Sequence, residues 1–81
     1  MTIRVKMFAA ARQWAGADEI EVVVPDPPTV AALSLAMAHQ YPALAGLLRH
    51  AVFAVNAEYV SAEALLSAQD EVACIPPVSG G

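Results

Sequence analysis

The sequence is poor in the residues with which small domains usually staple themselves together. Its 81 residues include one cysteine, Cys74, so no intrachain disulfide can form. The two histidines, His39 and His50, have no second ligand nearby in a metal-binding pattern, and no Cys/His cluster has zinc-site spacing. A lone thiol fits a reducing compartment. Cations are equally scarce: Arg4, Lys6, Arg12 and Arg49 face eight carboxylates, for a net charge of −4. Four dispersed positive charges do not make a phosphate-binding surface, which argues against nucleic acid as a partner. No stretch approaches the ~20 apolar residues of a membrane span, and no charged leader precedes an apolar run. The expectation is one soluble, cytoplasmic domain with neither a nucleic-acid nor a membrane partner.

What the chain does have is apolar content, 58% of its residues, and its stability must come from burying it. Ile3, Val5 and Met7 alternate with Arg4, Lys6 and Phe8, the period of a half-buried strand. Phe8 breaks the pattern by sharing the polar face, either to cover the next helix or to meet a partner. Ala9 to Ala15 predicts a short helix stopped by Gly16, with Trp14 packing it onto the sheet. Ile20, Val22 and Val24 line one face of a second strand, joined to the first as a loose hairpin with a helical insert. After Pro25-Asp26-Pro27-Pro28, Thr29 stands at an N-cap position. Val30, Leu33, Ala36, Met37 and Tyr41 then share one helical face, and Pro42 ends that helix. His39 falls in its last turn, where a cation suits the dipole.

Leu44, Leu47 and Leu48 predict a further helical turn. Val52 to Asn56 is a third strand with Asn56 in a turn, and Tyr59 and Val60 supply a short edge strand. Residues 62–68 should be irregular with a helical turn, anchored by Leu65 and Leu66. The last strand places Val72 and Cys74 toward the helix, beside the first strand. This order implies an α+β domain, a mixed sheet with one main helix packed across one face. Domain residues 1–75 are expected to be followed by an extended, flexible tail, residues 76–81.

That tail is the most informative stretch. Pro76 and Pro77 lack N–H donors, so they end the ladder and favour an extended path. Val78, Ser79, Gly80 and Gly81 follow, and from Pro76 the arm spans about 20 Å at ~3.3–3.6 Å per residue. Two residues without side chains suit a narrow channel. The layout reads as a carboxylate held out on a thin arm for another protein to modify.

Four segments carry a family resemblance: Val5-Lys6-Met7-Phe8-Ala9 with Arg12; Pro28-Thr29-Val30 with Leu33; Val55-Asn56 with Tyr59-Val60; and Asp70-Glu71-Val72-Ala73 leading into Ile75-Pro76-Pro77-Val78-Ser79-Gly80-Gly81. In them the chain resembles the small, sulfur-carrier subunits of molybdopterin synthase, which have the β-grasp (ubiquitin-like) fold. Pro-Pro-Val-Ser-Gly-Gly is the most specific part. Three positions depart from the family pattern: Gln69 where glycine often precedes Asp-Glu, Cys74 where an aromatic is common, and Trp14 in place of an aliphatic residue. A turn needing positive φ at Gln69 would be strained by about 1 kcal/mol, or built differently.

The resemblance implies a chemistry. A terminal carboxylate is ionised at neutral pH and must be activated before sulfur replaces its oxygen. An E1-like adenylating enzyme would use ATP to activate Gly81, and a sulfur donor would convert it to a thiocarboxylate. The tail would then enter the large subunit of molybdopterin synthase and give its sulfur to cyclic pyranopterin monophosphate. Gly80 would pass a constriction, Ser79 and Val78 would touch the channel wall, and Pro77 and Pro76 would pre-extend the arm. Phe8 and Ile75 would form an apolar docking patch at the tail's root, with Arg4, Lys6 and Arg12 as rim charges. No cofactor is expected on this chain, nor a general base; the catalytic groups would belong to a partner, in a heterotetramer of two small and two large subunits. Cys74 reads as core packing, not as a persulfide carrier. Alternatives are a sulfur carrier for thiamin or tRNA thiolation, a ubiquitin-like modifier joined to lysines, and a binding module whose Gly-Gly end is a frayed terminus.

Overall fold

Strand alternation sets the architecture in the computed structural model, which describes residues 1–76. β1 (Thr2–Met7) buries Ile3, Val5 and Met7 and exposes the residues between them. β2 (Glu19–Val23) does the same with Ile20 and Val22, and Val24 continues the buried row. These rows of branched side chains leave water because a helix lies over them. α2 (Val30–Gln40) covers them with Val30, Leu33, Ala36 and Met37, the expected face. Its start is fixed by Thr29, whose Oγ1 accepts from the Ala32 N–H at 3.1 Å. A 3-10 turn opens at Pro42 and leads into α3 (Ala45–Leu48), with Leu44 and Leu48 buried.

β3 (Val52–Val55) and β4 (Glu58–Tyr59) are joined by Asn56 and Ala57, with φ of 51° and 69°. Two successive left-handed residues are the signature of a type I′ hairpin turn. β5 (Val72–Ile75) closes the sheet, whose order is β2-β1-β5-β3-β4. The first and last strands lie side by side and parallel, with Val5 opposite Val72 and Met7 opposite Cys74. The other pairings are antiparallel. This is the mixed sheet with one main helix across one face that the element order implied.

Two expectations fail. Trp14 does not pack α1 (Ala9–Ala15) onto the sheet, for it is 61% exposed. Ala11 is buried there instead and Ala15, four residues on, is packed against the core, so the inward face of α1 is the one these two alanines share. Leu65 is not an anchor either: it is 69% exposed, while Leu66 is buried. That segment is held by its backbone, with Val30 N–H donating to Ala64 O at 3.0 Å and Leu66 N–H to Pro28 O at 2.8 Å. In an extended chain, adjacent side chains point to opposite sides, so one leucine of the pair must face out.

Candidate functional site

α2 covers one face of the sheet and leaves the other open, and strand register determines what that open face carries. Lys6 lies opposite Ala73, Ala73 opposite Ala54, and Ala54 opposite Tyr59, a single row across β1, β5, β3 and β4. Two alanines in the middle of a row of long side chains leave a dip. Phe8 and Ile75 bound it on the side where the chain leaves β5, and the whole forms a depression of about 330 Å³. Phe8 is there because the ladder stops: Ala9 turns to φ 50° and α1 begins, leaving Phe8 as its N-cap and 48% exposed. Ile75 is half-buried, paired with the exposed Val52.

Arg12 joins this site from α1. It shares an adjoining depression with Phe8 and Asp18, and its Nη1 lies 3.5 Å from Asp18 Oδ1. Lys6 Nζ lies 3.4 Å from Glu71 Oε2, and Arg4 Nε 3.8 Å from Glu21 Oε2. All three pairs are exposed and worth at most about 1 kcal/mol each. They form a charged rim suited to steering an approaching partner.

Phe8 thus shares one depression with Ile75 and the adjoining one with Arg12. Pro76 is the last described residue and is buried; Pro77, Val78, Ser79, Gly80 and Gly81 lie outside the described residues. Sequence reasoning missed the floor, Ala54 and Ala73, and treated Tyr59 only as part of a strand. Alternation showed that Ala73 faces away from the core, but only the register reveals that a second alanine sits beside it.

The start of β5 is clasped by a polar network that explains two segments of the resemblance. Asn56 Nδ2 donates to Asp70 Oδ1 at 3.1 Å, and Glu71 N–H donates to Asn56 Oδ1 at 3.0 Å. Asp70 Oδ2 accepts from Ser67 N–H at 2.8 Å, closing the turn that holds Gln69. Gln69 is not among the residues with positive φ, so this turn is built differently and avoids that strain.

Cys74 is fully buried beneath this face, on the helix side of β5. Burial pushes its thiol from the ordinary 9.0 up to about 11, because an apolar interior penalises the thiolate. A neutral, enclosed thiol neither attacks nor accepts sulfur readily, which agrees with a packing role. Among the described residues no group of three or more His, Cys, Asp or Glu could hold a metal ion, and no helix is long and apolar enough to cross a membrane.

A family model described as the ThiS family matches residues 5–81. The chain belongs to the ThiS family. A relative in Escherichia coli K12, named molybdopterin synthase sulfur carrier subunit, is 43% identical over 98% of this chain and 99% of its own. A putative molybdopterin converting factor subunit 1 from Pyrococcus furiosus superposes with a TM-score of 0.81 at 31% identity, covering 96% of this chain and 99% of that one. The small archaeal modifier protein 1 of Haloferax volcanii superposes with a TM-score of 0.80 at 28% identity, over 95% and 98% of the two chains. These likenesses make the fold a β-grasp, and the ThiS-family match runs through the whole Pro-Pro-Val-Ser-Gly-Gly stretch.

Proposed function

We propose that this chain is the sulfur carrier subunit of a molybdopterin synthase, working through a thiocarboxylate on Gly81. The observation that carries the reading is the 43% identity, over essentially both full lengths, to a subunit with that name. An apolar, charge-rimmed patch at the root of the tail supports it, because a carrier must dock its body before its arm can be used.

The chemistry follows from the group being carried. A Gly81 carboxylate oxygen attacks the α-phosphate of ATP on an E1-like enzyme, releasing pyrophosphate and forming an acyl adenylate. Sulfur at the oxidation level of sulfide, delivered by a separate donor, then displaces AMP. The thiocarboxylate enters the large subunit and gives its sulfur to cyclic pyranopterin monophosphate, and hydrolysis restores the carboxylate. Two such transfers complete a dithiolene. Gly80 and Gly81 pass where a Cβ would jam, Val78 and Ser79 set register against the channel, and Pro76 and Pro77 reduce the entropy lost on insertion. The body contributes Phe8, Ile75 and Arg12 to docking. Two small and two large subunits make the assembly, in the cytoplasm.

The test is the intact mass of the chain after incubation with ATP, an activating enzyme and a sulfur donor, followed by addition of large subunit and pterin precursor. One oxygen replaced by sulfur, then lost as product forms, is the expected result. Larger conjugates through lysine would instead support the modifier reading, which the likeness to the archaeal modifier protein favours. Product formation undiminished after deletion of Gly81 would refute the carrier reading.

A further inference from the structure

The two edges of the sheet end differently. β4 is only two residues long, whereas β2 presents five residues as an outer strand. Such an edge is a row of backbone donors and acceptors that another strand can extend. The ladder with β1 fixes which groups point outward. Val24 N–H donates to Met1 O at 2.7 Å, the Met1 ammonium donates to Val24 O at 3.1 Å, and Met7 N–H donates to Asp18 O at 2.7 Å. Hydrogen-bonded pairs recur at every second residue of an antiparallel ladder. Val24, Val22, Ile20 and Asp18 therefore turn their backbone groups toward β1, and Val23, Glu21 and Glu19 turn theirs away.

Both outward groups of Val23 are nevertheless occupied, and by one side chain. Gln40 Oε1 accepts from Val23 N–H at 3.0 Å, and Gln40 Nε2 donates to Val23 O at 2.8 Å. A carboxamide offers the same donor and acceptor as a peptide group, so this is the bonding a neighbouring strand would supply. Further along the edge, Tyr41 OH donates to Glu21 O at 3.1 Å. Gln40 is the last residue of α2 and Tyr41 its C-cap, so the end of the covering helix reaches over the edge. An exposed glutamine held at both ends gives up rotamer entropy, which the two bonds must offset.

We propose that Gln40 and Tyr41 act as a surrogate sixth strand, closing the β2 edge against pairing with β2 of a second copy of this chain. The second copy is the fitting occupant because the strand is self-complementary. In an antiparallel pair centred on Glu21, Ile20 of one copy faces Val22 of the other, joining the two buried rows, while Glu19 faces Val23. Glu21 against Glu21, with Glu19 of each copy diagonal to it, opposes the pairing, and salt screens that repulsion. This device is independent of the chemistry at the tail.

The experiment compares the full chain with the double variant Gln40→Ala, Tyr41→Phe, which favours helix and keeps the tyrosine ring. Amide hydrogen exchange reads the lock directly. In dilute, low-salt solution, where the variant stays monomeric, Val23 N–H should exchange roughly fivefold faster than in the parent, the equivalent of about 1 kcal/mol of hydrogen bonding, while the outward Glu21 N–H, which no described side chain engages, should not change. Sedimentation at about 0.5 M salt should then show a concentration-dependent dimer for the variant and a monomer for the parent chain. Unchanged protection at Val23 would overturn the lock. Faster exchange at Val23 in a variant that stays monomeric at every concentration would overturn its role as a guard.

Discussion

Replacing Phe8 with alanine tests whether the open sheet face is where a partner sits. Fully burying a phenylalanine side chain is worth about 1.5–3 kcal/mol. In the isolated chain 48% of Phe8 is still exposed, so a partner that covers it gains the remaining half, about 0.7–1.4 kcal/mol. Phe8→Ala should therefore weaken binding to the proposed large-subunit partner roughly three- to tenfold in Kd. The half already covered contributes about 1 kcal/mol to folding, too little to unfold a domain with ordinary stability. A matched control comes from the helix on the opposite face: Leu35, on α2, is 66% exposed and lines neither of the depressions that hold Phe8. Leu35→Ala should leave Kd within about twofold. Titration calorimetry with both variants, each checked for folding by urea denaturation, makes the measurement. Weakened binding with Leu35→Ala and unchanged binding with Phe8→Ala would refute the placement of the interface.

The other predictions concern what holds this face up. Cys74 should resist alkylation in the native chain at pH 8, and Cys74→Ala should leave sulfur loading of Gly81 intact; loss of loading in a folded variant would make the thiol a participant. Because its thiol is raised from 9.0 to about 11, its contribution to stability should be constant below pH 9 and fall as pH rises through 11, which urea titrations across that range would show and Cys74→Ala would abolish. Ala57 holds φ 69° in the hairpin turn, so Ala57→Gly should stabilise the fold by about 1 kcal/mol and raise Tm by roughly 4–8 °C. Gly16→Ala should do the reverse by a similar amount, from backbone strain alone, since an added Cβ at its φ of 74° would meet nothing within 4 Å. Asn56→Ala removes the bonds to Asp70 and to Glu71 N–H and should lower stability by about 1–2 kcal/mol in thermal melts.

The residue pattern alone determined a good deal. Period-two alternation assigned the buried rows of β1, β2 and β5, since any extended chain with one covered face must alternate. Helical spacing assigned the covering face of α2, and Thr29, Gly16 and Pro42 marked helix ends because each acts through local backbone chemistry. The tail's layout read as a carboxylate held out for another protein to modify, and the resemblance in four segments, not composition, supplied the family. Contacts between distant segments were beyond that reach. Trp14 was misplaced because the rotation of α1 about its axis is set by tertiary packing, which turns the face shared by Ala11 and Ala15 inward and leaves Trp14 outside. The Ala54–Ala73 floor, the Asn56–Asp70 clasp and the grip of Gln40 on Val23 each join residues 14 or more positions apart. Local propensity cannot specify such pairs; they exist only once the first and last strands lie together and the helix has been laid across them.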